Sequence, residues 1–324
     1  MRNRTKAGLL GLAMAGVGVS GSFTALGNYL YSQVMLPKAR DPEQLEDNPT
    51  QAEGRLWARE GKGFHEATIQ AIDGLILYSA LIPSPVDSHR WAICIHGFHD
   101  THEAMGAIAR HYHDRGWNVL MPDQRGHGKS EGSYVGWGYD ERLDLLGWVN
   151  LVVRRDPQAE ILLHGVSMGA ATVLMATGGA LPDQVKAAVA DCSYTTIEEE
   201  MRHVLRSFSL SSPRGEGLPS VPLPGGLLFS LLRRATLRRA GYDLRDAAPV
   251  KAVPQSTTPT LFIHGAKDDF VPSAMMNRLY QAARCPKSFL WVPEAGHALS
   301  VGTNPELYWA AADTFLQEYF SEPV

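Results

Sequence analysis

Short apolar runs alternate with helical stripes along most of this chain. Ala67 to Ile72 and Leu75 to Leu81 flank Asp73-Gly74, a turn pair that predicts an antiparallel hairpin. Trp91-Ala92-Ile93-Cys94-Ile95 and residues 118–122 are apolar runs of strand length, with a helix expected at about 102–115 between them. From Tyr139 to Arg154, Leu143, Leu145, Leu146, Val149 and Val152 recur at helical spacing. Residues 161–164, 186–191, Thr260 to Ile263 and Ser288 to Val292 complete the expected strands, and Ala170 to Thr177 is an expected helix. Strands that are apolar throughout and interleaved with helices predict a mostly parallel sheet covered on both faces, an α/β fold.

Two stretches break this rhythm. Between 186–191 and 260–263 the chain is too long for a plain crossover. It holds an expected helix from Ile197 to Phe208, a Pro/Gly/Ser-rich break from Ser211 to Gly226, and a second helix from Leu227 to Ala240. The other break is the N-terminus. Arg2, Arg4 and Lys6 precede an uncharged run from Ala7 to Pro37, and a bilayer span needs about 20 apolar residues. The run is rich in Gly and Ala, and Tyr29, Tyr31, Lys38 and Arg40 would mark a far interface. Three readings compete: an uncleaved anchor holding the folded domain outside the cytoplasm, a signal peptide cleaved near Ala13-Met14-Ala15, and a docked helix of a soluble protein. Asp41 to Glu60 is polar and charged, which suits a linker or a wrapping arm. The expected organisation is therefore an anchor or signal segment over 1–40, a linker or arm over 41–62, a core over 63–193 and 251–324, and a cap insertion over 194–250.

Composition narrows the functional classes. A 324-residue chain with 44% apolar residues supports one large core. A net charge of −4 gives no electrostatic hold on nucleic acid. Three cysteines are too few for a disulfide framework, and Cys94 and Cys192, in or beside expected strands, read as small buried hydrophobes.

The chemistry concentrates at strand ends. Gly165-Val166-Ser167-Met168-Gly169 follows Ile161-Leu162-Leu163 and precedes the helix at Ala170. A strand running through G-x-S-x-G into a helix is a nucleophile elbow, which lifts the serine hydroxyl out of the sheet. A hydroxyl needs a base, and the base needs an orienting acid. Asp268 follows the strand at 260–263, and His297 follows the strand at 288–292. The order Ser167, Asp268, His297 is that of α/β-hydrolases. Backbone N–H groups of Phe98, after the run at 91–95, and of Met168 are the candidate oxyanion donors.

With His96-Gly97-Phe98, the stretch Asp123 to Ser130, the Ser167 elbow and the Asp268/His297 pair in register, the chain resembles the α/β-hydrolase superfamily over about residues 63–320. The stretch from Asp123 on to Glu141-Arg142 is similar to a bacterial group with N-terminal hydrophobic anchors and poorly assigned substrates. The resemblance implies a serine hydrolase, a helical cap at 194–250, Asp268 rather than Asp269 as the acid, and a bracing role for Asp123 and Arg125. It leaves the substrate open. Serine at the elbow argues against the epoxide hydrolases and dehalogenases of this fold, which need a carboxylate there.

Other side chains have plainer explanations. His164 and His264 read as satisfied core or loop residues. His99, His102, His111 and His113 cluster without a zinc-like spacing, so no metal is expected, and no cofactor either. Glu198-Glu199-Glu200 reads as a solvated helix face. Arg233, Arg234, Arg238 and Arg239 flank the apolar residues of the second cap helix; they are solvated if that helix packs on the core, with an acyl-binding lid or a contact with anionic lipid as alternatives. The expected activity is hydrolysis of a carboxylic ester. A peptidase acting on short peptides and a lysophospholipase are alternatives on the same residues, and a silent membrane-tethered binding protein is the non-enzymatic one. The expected partners are a small-molecule ester or short peptide and, through the N-terminus, a membrane.

Overall fold

The computed structural model describes residues 22–37, 48–60, 63–204, 209–210, 221–222 and 224–321. Among them the strands are β1 (His65–Gln70), β2 (Ile76–Ile82), β3 (Arg90–Ile95), β4 (Asn118–Pro122), β5 (Glu160–Val166), β6 (Val185–Asp191), β7 (Ser209–Leu210), β8 (Val221–Pro222), β9 (Thr260–Gly265) and β10 (Lys287–Val292). The helices are α1 (22–34), α2 (Pro49–Glu60), α3 (Gly106–His113), α4 (Glu141–Arg155), α5 (Met168–Thr177), α6 (Ile197–Val204), α7 (Gly225–Arg239), α8 (Pro249–Ala252), α9 (Ala274–Ala282), α10 (Ser300–Thr303) and α11 (Pro305–Leu316). Contacts divide the chain into two compact units, Met1–Leu36 with Met201–Asp246, and Pro37–Glu200 with Ala247–Val324.

The larger unit carries an eight-stranded sheet in the order β1-β2-β4-β3-β5-β6-β9-β10. The β1/β2 and β2/β4 pairs are antiparallel and the rest are parallel. Gly74, at φ +93°, makes the turn of the β1/β2 hairpin. The apolar runs have a simple cause. Along β3, Ala92 and Cys94 enter one core cluster with Tyr112, Trp117 and Tyr308, while Ile93 and Ile95 enter the other with Trp148 and Val149. A strand with a core on each face has no polar side to show.

Part of the stretch expected to be a linker or arm over 41–62 is helical. Residues 49–60 form α2, which packs on α3; residues 38–47 lie outside the described residues. The contact is built from small side chains. Ala58 is fully buried, and a Cβ added to Gly106 would lie 1.9 Å from the Gly54 carbonyl oxygen. Asn48 opens the helix: its Oδ1 accepts from Gln51 N at 3.0 Å, and its own N–H donates to Gln51 Oε1 at 3.3 Å. Helix α11 has no counterpart in the sequence expectation; its Tyr308, Ala312 and Phe315 join the core.

The smaller unit brings together parts of two segments expected to be separate. Gly27 of α1 lies against the α7 backbone, where a Cβ would stand 2.9 Å from Leu231 O, and Arg239 sits 4.6 Å over the Tyr31 ring. Arg233 grips Asp243 with two nitrogens, at 2.7 and 2.5 Å. Arg233 and Arg239 are thus partnered rather than simply solvated. Much of the Pro/Gly/Ser-rich break and residues 205–208 of the expected first cap helix lie outside the described residues, as do residues 7–21 of the uncharged N-terminal run. Among the described residues no helix is long and apolar enough to cross a membrane.

Candidate active site

Strand β5 ends on Val166 and α5 begins at Met168, leaving one residue for the turn. That residue, Ser167, takes φ 55° and ψ −118°, a region a side-chain-bearing residue rarely adopts. Its N–H is held by Asp191 O at 2.8 Å. The flanking glycines permit the turn: a Cβ on Gly165 would lie 2.3 Å from Gly169 O, and one on Gly169 would lie 2.1 Å from Ile95 O. Helix α5 can therefore start against the ends of β5 and β3 only when both positions lack a side chain.

The strained turn presents Ser167 Oγ 2.8 Å from His297 Nε2. His297 Nδ1 lies 2.8 Å from Asp268 Oδ2. A carboxylate only accepts, so Nδ1 carries the proton and Nε2 is left to accept from the hydroxyl. The Asp268 side chain has no solvent exposure. Burial works to raise its pKa, but His264 and His297, with the Val271 N–H at 2.8 Å on Oδ1, outweigh burial and bring it down to about 2. Asp268 is ionised across the neutral range, and its neighbour Asp269 is exposed.

The two candidate oxyanion donors occupy different elements. Met168 is the first residue of α5, where helix N–H groups lack an intrahelical acceptor. Phe98 follows Gly97, where an added Cβ would stand 3.3 Å from Ser167 Cβ, and Phe98 lines the same cavity as Ser167. The loop around Phe98 is fixed from behind. Gln124 N donates to His96 Nε2 at 2.9 Å, Gln124 Nε2 donates to His96 O at 2.6 Å, and His99 N donates to His127 Nε2 at 3.2 Å. Burial lowers the His127 pKa to about 3, so the ring is neutral and free to accept. Asp123 accepts from His102 N at 2.7 Å and Lys129 N at 2.9 Å, and Arg125 grips Asp144 at 2.7 Å through two nitrogens. The stretch from Asp123 to Ser130 thus holds backbone in place.

A cavity of about 430 Å³ opens beside Ser167 and His297. Its lining includes Phe98, Ile108, Asp191 and, from α2, Gln51 and Arg55.

Residues 87–248, half of the chain, match the family model described as serine aminopeptidase, S33. The chain belongs to this family. It is 34% identical over 206 residues to the uncharacterized protein YqkD of Bacillus subtilis, and that match covers 63% of each chain. It is 29% identical over 211 residues to the α/β-hydrolase domain-containing protein WAV2 of Arabidopsis thaliana, covering 63% of this chain and 62% of that one. Among solved structures, the Pyrococcus furiosus esterase Pf2001 superposes with a TM-score of 0.64 at 20% identity, covering 88% of this chain and 99% of the esterase. The eight-stranded, mostly parallel sheet is that of the α/β-hydrolase fold.

In this family member several residues do more than their sequence context suggests. Asp191, at the end of β6, carries no sequence signal of a role. Its backbone oxygen holds Ser167, and its buried carboxylate accepts from Ser300 Oγ at 3.1 Å. Burial pushes its pKa up to about 6 against the pull of His264, Ser300 and His297. Gln51 and Arg55 also escape the sequence reading; the pattern Asn48-Pro49-Thr50-Gln51, a cap, a proline and a returning amide, is the signal that could have placed a helix there. Glu198–Glu200 as a solvated face is corrected. Glu199 pairs with Arg278 at 2.7 Å and with Thr195, and Glu200 is 1% exposed with neither carboxylate oxygen hydrogen-bonded among the described residues. Burial, reinforced by the nearby Asp268 charge, pushes the Glu200 pKa up to about 8.

The histidines near α3 have separate partners. His102 meets Asp123 at 2.9 Å, while His111 meets Asp313 at 2.9 Å and stacks on Trp309. His164 lies between the hydroxyls of Tyr112 and Tyr308. Ligand atoms of Cys192, Asp268 and His297 do come within 4.8 Å of one another. A metal there does not suit the donors: Asp268 and His297 already bond each other, and burial with two nearby carboxylates holds the Cys192 thiol protonated.

Proposed function

We propose that this protein is a serine hydrolase that cleaves a carboxylic ester through an acyl-enzyme on Ser167. The observation that carries the reading is the continuous contact from Ser167 Oγ to His297 Nε2 and from His297 Nδ1 to Asp268, each 2.8 Å, on a strained elbow beside a cavity. His297 takes the Ser167 proton as the oxygen attacks the substrate carbonyl. Asp268 keeps the ring in the productive tautomer and stabilises its charged form. The N–H groups of Phe98 and Met168 receive the oxyanion, His297 returns the proton to the departing alcohol, and water releases the acid by the same steps. The family's description and the solved Pyrococcus esterase support hydrolysis of a small molecule.

The test is turnover of p-nitrophenyl esters together with covalent labelling by a fluorophosphonate, in the native protein and in Ser167→Ala. Ser167-dependent turnover and labelling are expected; a variant that keeps more than about a tenth of native turnover would sink the assignment.

One observation favours cleavage of a short peptide instead. Glu200 is a buried carboxyl with no hydrogen-bonding cation among the described residues, and it sits close enough to Asp268 for their charges to repel. Glu200 is not among the residues lining the cavity beside Ser167, so a substrate ammonium would have to displace its neighbours to reach it; there it would satisfy both the missing hydrogen bonds and the charge. Aminoacyl arylamide turnover that disappears in Glu200→Gln, with ester turnover retained, would establish this second reading.

A further inference from the structure

The cavity beside Ser167 has a wall that lies outside the family match. Helix α2 ends at Glu60 and the match begins at residue 87. Gln51 and Arg55, one helical turn apart, line the cavity that Ser167 and His297 also line.

Both side chains are held at their polar heads. Gln51 Oε1 accepts from Asn48 N, and its Nε2 donates to Ala298 O at 3.0 Å, on the residue that follows His297. Ala298 stands at φ +56°, so this bond also restrains a strained backbone position. Arg55 meets Asp100 with two nitrogens, at 2.8 and 2.9 Å, and the two side chains are only 11% and 15% exposed. A forked pair of this kind fixes the guanidinium plane as well as its position. The helix bearing them is held by the Gly54/Gly106 backbone contact and by Arg59 on Glu103 at 2.7 Å. The result is a rigid wall whose one cation is neutralised by its own anion. Apart from Asp191 and His99, the rest of the lining beyond the Ser167–His297 pair is largely apolar, with Met105, Ile108 and Val301 among it. A volume of about 430 Å³ is near the lower end of the range for small-molecule sites.

We propose that α2 is the specificity element of this site: Gln51 and Arg55 form the wall that limits the acid portion of the ester to a short or medium, uncharged chain. The proposal rests on the ester-hydrolase reading. It places substrate selection in a segment that precedes the hydrolase core and leaves the reacting groups in the core itself.

The test uses the full chain and p-nitrophenyl acetate and octanoate, with ethyl and octyl acetate as a second series. Arg55→Ala opens the wall and should raise the octanoate-to-acetate ratio of kcat/KM by about tenfold, the effect of roughly one methylene in a shaped pocket. Gln51→Phe fills the cavity from α2 without touching an ion pair and should lower that ratio by a similar factor, so it carries the test if Arg55→Ala does not fold. Fluorophosphonate labelling of Ser167 is read in every variant. Variants that fold and label while keeping the native ratio within about twofold overturn the proposal. A shift confined to the alkyl acetates overturns it too, because α2 would then bound the alcohol portion. Absence of Ser167 labelling in the native protein sinks the hydrolase reading, and the proposal with it.

Discussion

The two sides of the cavity are built by different means. On one side stand the elbow, the Gly97-Phe98 loop and the Asp268 and His297 loops. Each is a short chain segment whose backbone conformation is dictated by its own residues: Ser167 at φ 55° between two glycines, and Gly97 packed against Ser167 Cβ. On the other side stands α2, straight and regular, whose place depends on a glycine contact with α3 and on two arginines meeting Asp100 and Glu103. The first side concentrates strain and the groups proposed to react; the second bounds the cavity. A site divided this way can change what it accepts without rebuilding what it does: Gln51 reaches the residue after His297 through Ala298 O, and Arg55 is held by Asp100.

The division is broken most directly on the reactive side. Ser167→Ala removes the hydroxyl and leaves the cavity, so turnover should fall by about 10⁴-fold or more while binding of an unreactive ester analogue persists. Loss of binding together with turnover would mean that the serine shapes the pocket as well. Asp268→Asn comes next. The amide can present its N–H to His297 Nδ1 and favour the wrong tautomer, which costs about 10⁴ in kcat in enzymes built this way. The expected signature is a fall in kcat with KM nearly unchanged. A loss below about tenfold would show that His297 is oriented by something else, and Asp191 is the carboxylate to examine next.

On the shaping side the expected cost is structural. Any side chain at Gly106 must push α2 away, since even a Cβ would stand 1.9 Å from Gly54 O. Gly106→Val should lower stability by up to about 3 kcal/mol in urea unfolding and expose the chain near α2 to proteolysis, with Ser167 still open to fluorophosphonate. If labelling vanished as well, α2 would be part of what holds the reactive groups, and the two sides would not be separable.

The same contrast governs how much can be read from the sequence. The elbow is legible because G-x-S-x-G is a local steric requirement, and the order Ser167, Asp268, His297 because strand ends follow apolar runs that two cores impose on the sheet. Helix α2 is legible only at its opening, in the cap pattern Asn48-Pro49-Thr50-Gln51; where it packs is not. Its buried face is Gly54 and Ala58, which carry no hydrophobic stripe, and its polar partners lie 44 and 45 residues further along the chain. Helix α11 escapes the sequence reading although Tyr308, Ala312 and Phe315 fall at helical spacing. Asp191 ends an apolar strand, where a lone carboxylate carries no signal of its partner Ser300, 109 residues away. The run Glu198-Glu199-Glu200 misleads for a geometric reason: consecutive helical residues point about 100° apart, so three identical acids cannot share one face. Glu199 reaches Arg278 and Glu200 turns inward, and no composition rule separates them.

Glu200 also gives the smallest and most discriminating test of the comparison. Its folded pKa is raised to about 8 from an ordinary value of 4.5. The folded chain therefore keeps a proton that the unfolded chain has released, and between these values stability falls as pH rises. The contribution is complete below about pH 4.5 and is lost as pH passes 8. Glu200→Met removes the titration and keeps an unbranched side chain of similar length. Relative to the native protein it should gain about 1–2 kcal/mol between pH 5 and pH 9, less than the full linkage value because surroundings relax around a buried charge. Measuring both proteins by denaturant unfolding at the two pH values cancels every titrating group they share. A gain that grows with pH identifies a carboxyl kept at a cost to stability, as residues held for function often are. If the same variant also loses arylamide turnover while hydrolysing esters normally, the cost lies in recognising a substrate amine, and selection at this site is shared between α2 and α6. A gain independent of pH would mean instead that Glu200 is simply a poor fit for its position.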